Sequence, residues 1–183
     1  MRNERDRFGV ARREAILDEL TVTGGKASNK DLDQAARKAE LAAIEKVGIE
    51  SESRFDSFSA RFRTISSVRP PTPEEDTYRK IDRWVTFKEE LSLPEWPVQI
   101  KSSYRDARLF KFGDPNTNKK PDPGFISLHG LIIVINCGPS VKYKSFRRQA
   151  YQEITRIKSI LDTNPSFIKL IEKISTLSKS AKN

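Results

Sequence analysis

A single cysteine, Cys137, stands in a chain of 183 residues, so no disulfide can form within it. There is also a single histidine, His129, and one of each cannot assemble a cysteine–histidine zinc set. Cys137 follows an apolar run and reads as a small buried residue, while His129 reads as a strand-entry residue. The longest apolar run, LIIVI, is far too short to cross a bilayer. The first residues, MRNERDRFGV, are charged and lack the apolar stretch of a signal peptide. The glycine pair in TGGKASN has neither the spacing of a phosphate-binding loop nor an apolar strand before it. Together these absences predict a soluble protein of a reducing, cytoplasmic compartment with no membrane partner.

Positive charge, by contrast, is plentiful. Lysine and arginine number 34 against 25 acids, a formal charge of +9. Such an excess favours polyanions as partners, nucleic acid first. With 36% hydrophobic and 32% charged residues, a modest core with solvated helices around it is expected. The length suits one domain. Within it, residues 1–28 form a helical extension, 29–161 the core, and 162–183 a last helix and tail.

Periodicity orders these segments. Residues 3–21 are predicted helical, with Val10, Ala15, Ile16, Leu17 and Leu20 on one loose apolar face. A second helix starts at the N-cap Asn29 and stops at Gly48. At about 100° per residue, Ala36, Ala43, Ile44 and Val47 fall within about 60° of Glu40, putting a carboxylate in the middle of an apolar face. A strand follows near 58–66, then a proline-rich loop, VRPPTPEEDTY. KIDRWVTF and WPVQIKSS are strands joined by the loose turn KEELSLPE, most simply an antiparallel hairpin. Residues 103–128, rich in proline and glycine, are predicted to be an irregular, partly mobile loop. GLIIVINCG reads as a buried strand, residues 140–162 as a basic amphipathic helix, and about 165–178 as a short helix. Strands connected both by a hairpin and by longer crossings predict an α/β fold, a mixed central sheet flanked by helices.

The two central strands carry the chemistry. Gln99 and Lys101 share one strand face, while Val98 and Ile100 share the other. A hairpin that brings Thr86 to Pro97 brings Asp82 to Lys101, and one sheet face then gathers Asp82, Gln99 and Lys101. Glu40 adds a carboxylate if its helix packs there. Carboxylate and amide oxygens are hard ligands suited to Mg²⁺ or Mn²⁺. A metal so held lowers the pKa of a bound water and stabilises charge on a phosphoryl oxygen. Lys101 is suited to neutralising that charge, and beside carboxylates it is expected to stay protonated. The plainer reading is a solvated edge strand with a weak Asp82–Lys101 surface pair.

Asp82 followed by Gln99-Ile100-Lys101 on the next strand resembles the signature of the PD-(D/E)XK nuclease superfamily. The resemblance implies a restriction-endonuclease-like core of helix–strand–strand–strand–helix–strand, an order that residues 30–161 match provided 103–128 holds no extra core element. It maps the family's aspartate to Asp82, its lysine to Lys101, and the acid often found on the first helix to Glu40. Ile81 stands where the signature has proline, and Gln99 where it usually has an acid, although some active members carry glutamine there. What it implies is a Mg²⁺- or Mn²⁺-dependent endonuclease acting on DNA, with Asp82, Gln99 and Glu40 as metal ligands. The alternative is a non-catalytic nucleic-acid-binding protein on the same fold, and a third reading is a basic surface that meets an acidic partner.

Around this motif, Ser102, Ser103, Tyr104, Arg105, Arg108 and Lys111 form one group suited to phosphates, and Lys142, Lys144, Arg147 and Arg148 form another. For any one of them, a solvated helix face is the simpler reading. Trp84 and Trp96 are expected to pack rather than stack on bases. Pro121-Asp122 repeats the Pro-Asp pair in ordinary turn chemistry. A small nuclease often dimerises to cut both strands, and a homodimer is compatible with this sequence.

Overall fold

The computed structural model describes residues 4–88 and 95–180; the predicted turn KEELSLPE falls mostly outside them. The chain forms two compact units, Met1–Ile49 and Glu50–Asn183. No helix among the described residues is long and apolar enough to cross a membrane.

In the first unit α1 (Glu4–Val22) is followed by the start of α2 (Asn29–Arg61). Neither helix has a sharp apolar stripe. Of the predicted apolar face Ala36 and Val47 are buried, whereas Ile44 is exposed, as is Leu41 outside it. Gly48 does not stop α2. A lone glycine costs a helix about 1 kcal/mol against alanine, less than the packing farther along can supply.

That packing lies in the second unit. Phe55, Phe58 and Phe62 recur at helical spacing and surround Phe146, with ring centroids 5.8, 5.4 and 6.0 Å away. The strand predicted near 58–66 is therefore displaced: helix continues to Arg61, and β1 covers Ile65–Arg69. The aromatic residues that suggested a strand fit the helical period instead. The proline-rich segment is also more ordered than predicted. Thr72 and Glu75 form a reciprocal capping box with Pro73 in the first turn, starting α3 (Pro73–Arg79).

The remaining strands are β2 (Arg83–Phe87), β3 (Trp96–Lys101) and β4 (Ile133–Asn136). The sheet order is β1-β2-β3-β4, with β1–β2 and β2–β3 antiparallel and β3–β4 parallel. The predicted α/β class with a mixed sheet is thus observed. Parallel pairing needs a crossover, and the segment predicted as loop supplies it. Ser103 caps α4 (Tyr104–Phe112), Asp122 caps the short α5 (Pro123–Ser127), and Ala107 and Phe110 turn inward from α4. Prolines and glycines flank these helices rather than interrupting α4, so local caps and burial override the loop-like composition.

The last helices are α6 (Tyr143–Thr163) and α7 (Phe167–Ser180). On α6, Gln149, Glu153 and Arg156 cover the outer edge of β4. Gln149 accepts from Asn136 N at 3.0 Å and donates back to Asn136 O at 3.2 Å. Glu153 accepts from Val134 N at 3.2 Å, and Arg156 donates to the carbonyls of Gly130 and Ile132. Side chains thus satisfy an edge that would otherwise be open to another strand. Both tryptophans are buried as expected, donating to Glu75 at 3.0 Å and to Leu131 O at 2.7 Å.

Candidate active site at the end of the third strand

Asp82 lies just before β2, where its backbone N–H donates to Val98 O at 2.8 Å and carries the pairing one residue further. The register pairs Trp84 with Pro97 and Arg83 with Val98, so Asp82 falls opposite Gln99. The predicted register, with Thr86 beside Pro97 and Asp82 beside Lys101, is shifted by two residues. The Trp84 indole, anchored on buried Glu75, is a tertiary feature that hairpin counting does not contain. A two-residue shift preserves which face each side chain takes. Asp82 therefore still meets the Gln99–Lys101 face.

Asp82 Oδ2 accepts from the backbone N–H of Ile100 at 2.5 Å and from Gln99 Nε2. Burial pushes the Asp82 carboxyl up to about 7, and the neighbouring charges of Glu52 and Asp76 add to the rise. The Ile100 N–H and Lys101 pull against it without cancelling it. Gln99 is 5% exposed. Its Nε2 also approaches Ile100 O at 3.4 Å, while its Oε1 is buried with no hydrogen-bond partner. A buried acceptor left unmatched costs about 1–3 kcal/mol, so this oxygen is a vacant hard donor.

Lys101 ends β3, and its carbonyl accepts from Cys137 N at 2.9 Å. Its Nζ lies 4.6 Å from the centre of the Phe110 ring on α4. Burial lowers the Lys101 pKa, against the opposing pull of Asp82, Asp122 and Asp106. Desolvation outweighs these carboxylates in setting the direction of the shift.

The predicted helix acid, Glu40, is in the first unit, where Arg12 binds it at 3.0 Å. The acid of α2 whose charge acts on Asp82 is Glu52. Glu52 accepts from Arg83 at 2.9 Å, and Asp56 takes the same guanidinium through two bonds of 3.0 Å. Sequence reasoning missed this clamp because α2 was ended at Gly48. The signal was present as two acids four residues apart, Glu52 and Asp56, and an arginine directly after Asp82.

No group of three or more His, Cys, Asp or Glu among the described residues is arranged to hold a metal ion. The oxygen donors at hand are the Asp82 carboxylate and the unpartnered Gln99 carbonyl. Sites for Mg²⁺ in phosphoryl chemistry commonly use one or two carboxylates and fill the other positions with water and substrate phosphate, so this sparse donor set fits such an ion. In the observed pairing, however, the amide nitrogen meets Asp82. Turning the amide over exchanges nitrogen and oxygen without changing its shape.

Ser102 and Ser103 follow Lys101, and Ser103 Oγ accepts from Asp106 N at 3.0 Å as the cap of α4. Tyr104, Arg105 and Arg108 project from α4 into solvent. Lys142, Lys144, Arg147 and Arg148 are exposed at the start of α6. His129 stacks on Phe167 at 4.8 Å, and burial pushes the Cys137 thiol up to about 12, so it stays protonated and unreactive. No family model matches the chain, and no curated protein or solved structure matches it.

Proposed function

We propose that this protein is a metal-dependent nuclease that hydrolyses phosphodiester bonds in DNA, on a restriction-endonuclease-like fold. The observation that carries the reading is the meeting of a carboxylate, a buried amide with a free carbonyl and a half-buried lysine where β3 ends. Ligand sites of open α/β sheets tend to lie at the carboxyl ends of strands, which favours this position. The element order α2–β1–α3–β2–β3–α4–α5–β4 supports the fold, because it contains the core order implied by the signature once α3 and α5 are set aside, although its second helix, α4, comes from the segment expected to hold no extra core element. The charge of +9 supports a polyanionic substrate.

In this reading Asp82 and Gln99 hold Mg²⁺ or Mn²⁺. The ion supplies a water of lowered pKa and charge neutralisation at the phosphoryl group when bound. Lys101, held under Phe110, balances the charge that builds on the phosphate oxygens. The Glu52–Arg83–Asp56 clamp steadies the start of β2 and with it the Asp82 backbone. Glu40, bound to Arg12, has no role assigned in this step.

The test is cleavage of supercoiled plasmid and of single-stranded oligonucleotides with Mg²⁺ or Mn²⁺. Wild-type protein should cut, and Asp82→Ala and Lys101→Ala should each lower the rate at least about a hundredfold. Equal behaviour of all three proteins on every substrate overturns the proposal.

One observation favours a second reading, a non-catalytic nucleic-acid binder: the Gln99 amide nitrogen fills the Asp82 position a cation would take. Salt-sensitive binding in EDTA with no cleavage under any metal selects that reading.

A further inference from the structure

Between α4 and α6 lies a groove of about 200 Å³, lined by Tyr104, Arg108, Lys111, Phe112, Gln149 and Gln152 among others. Its aromatic residues are on the wrong side of the usual bargain. Tyr104 is 73% exposed and Phe112 65% exposed, although both belong to a helix that buries Ala107 and Phe110 on its other face. Tyr104, Arg108 and Phe112 recur every four residues, so they share one side of α4 with a guanidinium between two rings. Lys111 Nζ sits 5.5 Å from the Phe112 ring centre while bonding Glu153 at 2.8 Å, which fixes this wall of the groove.

The charges are unevenly matched. Glu153 is engaged by Lys111 and Arg156, and Asp106 by Ser103. Arg105 and Arg108 have no ion pair among the described residues, and the Gln152 side chain has no hydrogen bond among them. The groove thus offers two ring faces, an unmatched cation and a free amide. Its lining mixes the apolar Ala107 and Val134 with the amides of Gln149 and Gln152 and the Lys111–Glu153 pair, so flat rings and polar edges both find partners there. The volume is below the roughly 300–1,000 Å³ that drug-sized ligands fill, which suits one flat ring system.

We propose that the α4–α6 groove seats an unstacked base of single-stranded nucleic acid. Tyr104 provides a stacking face for that base, Phe112, about 12 Å farther along α4, meets the neighbouring base, Arg108 contacts the phosphate between them, and Gln152 bonds the base edge. Base–aromatic stacking is tolerant of sequence because every base has a π-face. Tyr104 is three residues beyond Lys101 in the chain. The inference rests on nucleic acid being the partner, and it adds that the strand is recognised with its bases exposed.

The experiment measures anisotropy of a labelled short oligothymidylate and of a blunt duplex of equal length, with the full chain in EDTA at low salt. Tyr104→Ala with Phe112→Ala should weaken oligothymidylate binding roughly tenfold or more for each ring and duplex binding much less. Tyr104→Phe, which keeps the ring, should bind like wild type, and circular dichroism melting checks that each variant folds. Equal losses for single strand and duplex, or no loss, overturn the groove. Absence of any oligonucleotide binding overturns it too and leaves the surface to a protein partner. The two proposals fail separately. Cleavage by wild type with binding indifferent to the rings rejects the groove alone, and ring-dependent binding with no wild-type cleavage rejects the nuclease alone.

Discussion

Two carboxylates, one in each unit, were candidates for the same site, and their surroundings could hardly differ more. Glu40 belongs to the helical unit, where among the described residues only Ala36 and Val47 are buried hydrophobics and Leu17, Val22, Leu41, Ile44 and Ile49 are exposed. Its partner Arg12 is 44% exposed, and such pairs are worth about 0–1 kcal/mol. Asp82 belongs to the sheet unit, beside a core that includes Trp84, Trp96, Phe146 and most of β4. There burial raises its pKa to about 7 and a glutamine occupies one of its oxygens. What distinguishes a potentially reactive carboxylate is the solvent it has lost, and only the unit with a dense core can remove that solvent.

The strongest way to sharpen this contrast is to cut into each unit. Phe146 is 0% exposed with three phenylalanine rings around it, so Phe146→Ala should cost about 3–5 kcal/mol in urea unfolding. Leu17→Ala, at 63% exposure, should move the same measurement by less than about 0.5 kcal/mol. Comparable losses would erase the distinction between the units.

Next comes pH. The folded state holds the Asp82 proton up to about 7, whereas the unfolded chain releases it near 3.8. Between those values the folded state binds more protons, so stability falls as pH rises and levels off above about 7. Allowing for partial exposure, this should amount to on the order of 3 kcal/mol. Asp82→Asn should flatten that part of the curve, measured by urea unfolding at pH 4.5 and pH 8. An unchanged slope would mean that Asp82 is not the group responsible. The same ionisation implies that Mn²⁺ binding should strengthen with pH and release a proton below pH 7.

A smaller effect bears on Gln99. Gln99→Glu restores a charged donor beside Asp82, and Mn²⁺ affinity by calorimetry should rise on the order of tenfold. Without metal the variant should be less stable than wild type, because two carboxylates then face each other. Weaker metal binding would count against Gln99 as a ligand. Among the site candidates the smallest effect is expected for Glu40→Gln, below about 1 kcal/mol in stability, with no change in Mn²⁺ affinity. A loss of metal affinity there would return Glu40 to the site.

Much of the scaffold was readable from pattern. The alternation in KIDRWVTF and WPVQIK, the apolar run of β4 and the helical stripe of α6 each carry a period strong enough to identify their element. Phe55, Phe58 and Phe62 carried two conflicting signals, β-forming composition and helical spacing, and Phe146 resolved them toward helix. Segment 103–128 was misread because its prolines and glycines dominate composition while its caps, Ser103 and Asp122, are single residues.

For the candidate site, face alternation alone was enough to put Gln99 and Lys101 together, because the period of a strand is two whatever it packs against. That Asp82 would point toward them followed from the same rule. The pairing of Asp82 with Gln99 rather than Lys101 is a matter of register, which face alternation leaves open. That Glu52 acts on Asp82 follows from the continuation of α2 past Gly48, where Phe55 and Phe58 pack on Phe146. Desolvation, which raises Asp82 and lowers Lys101, belongs to neither residue by itself. Local pattern specifies direction along and across one element, whereas register, reach and loss of water are properties of elements packed together.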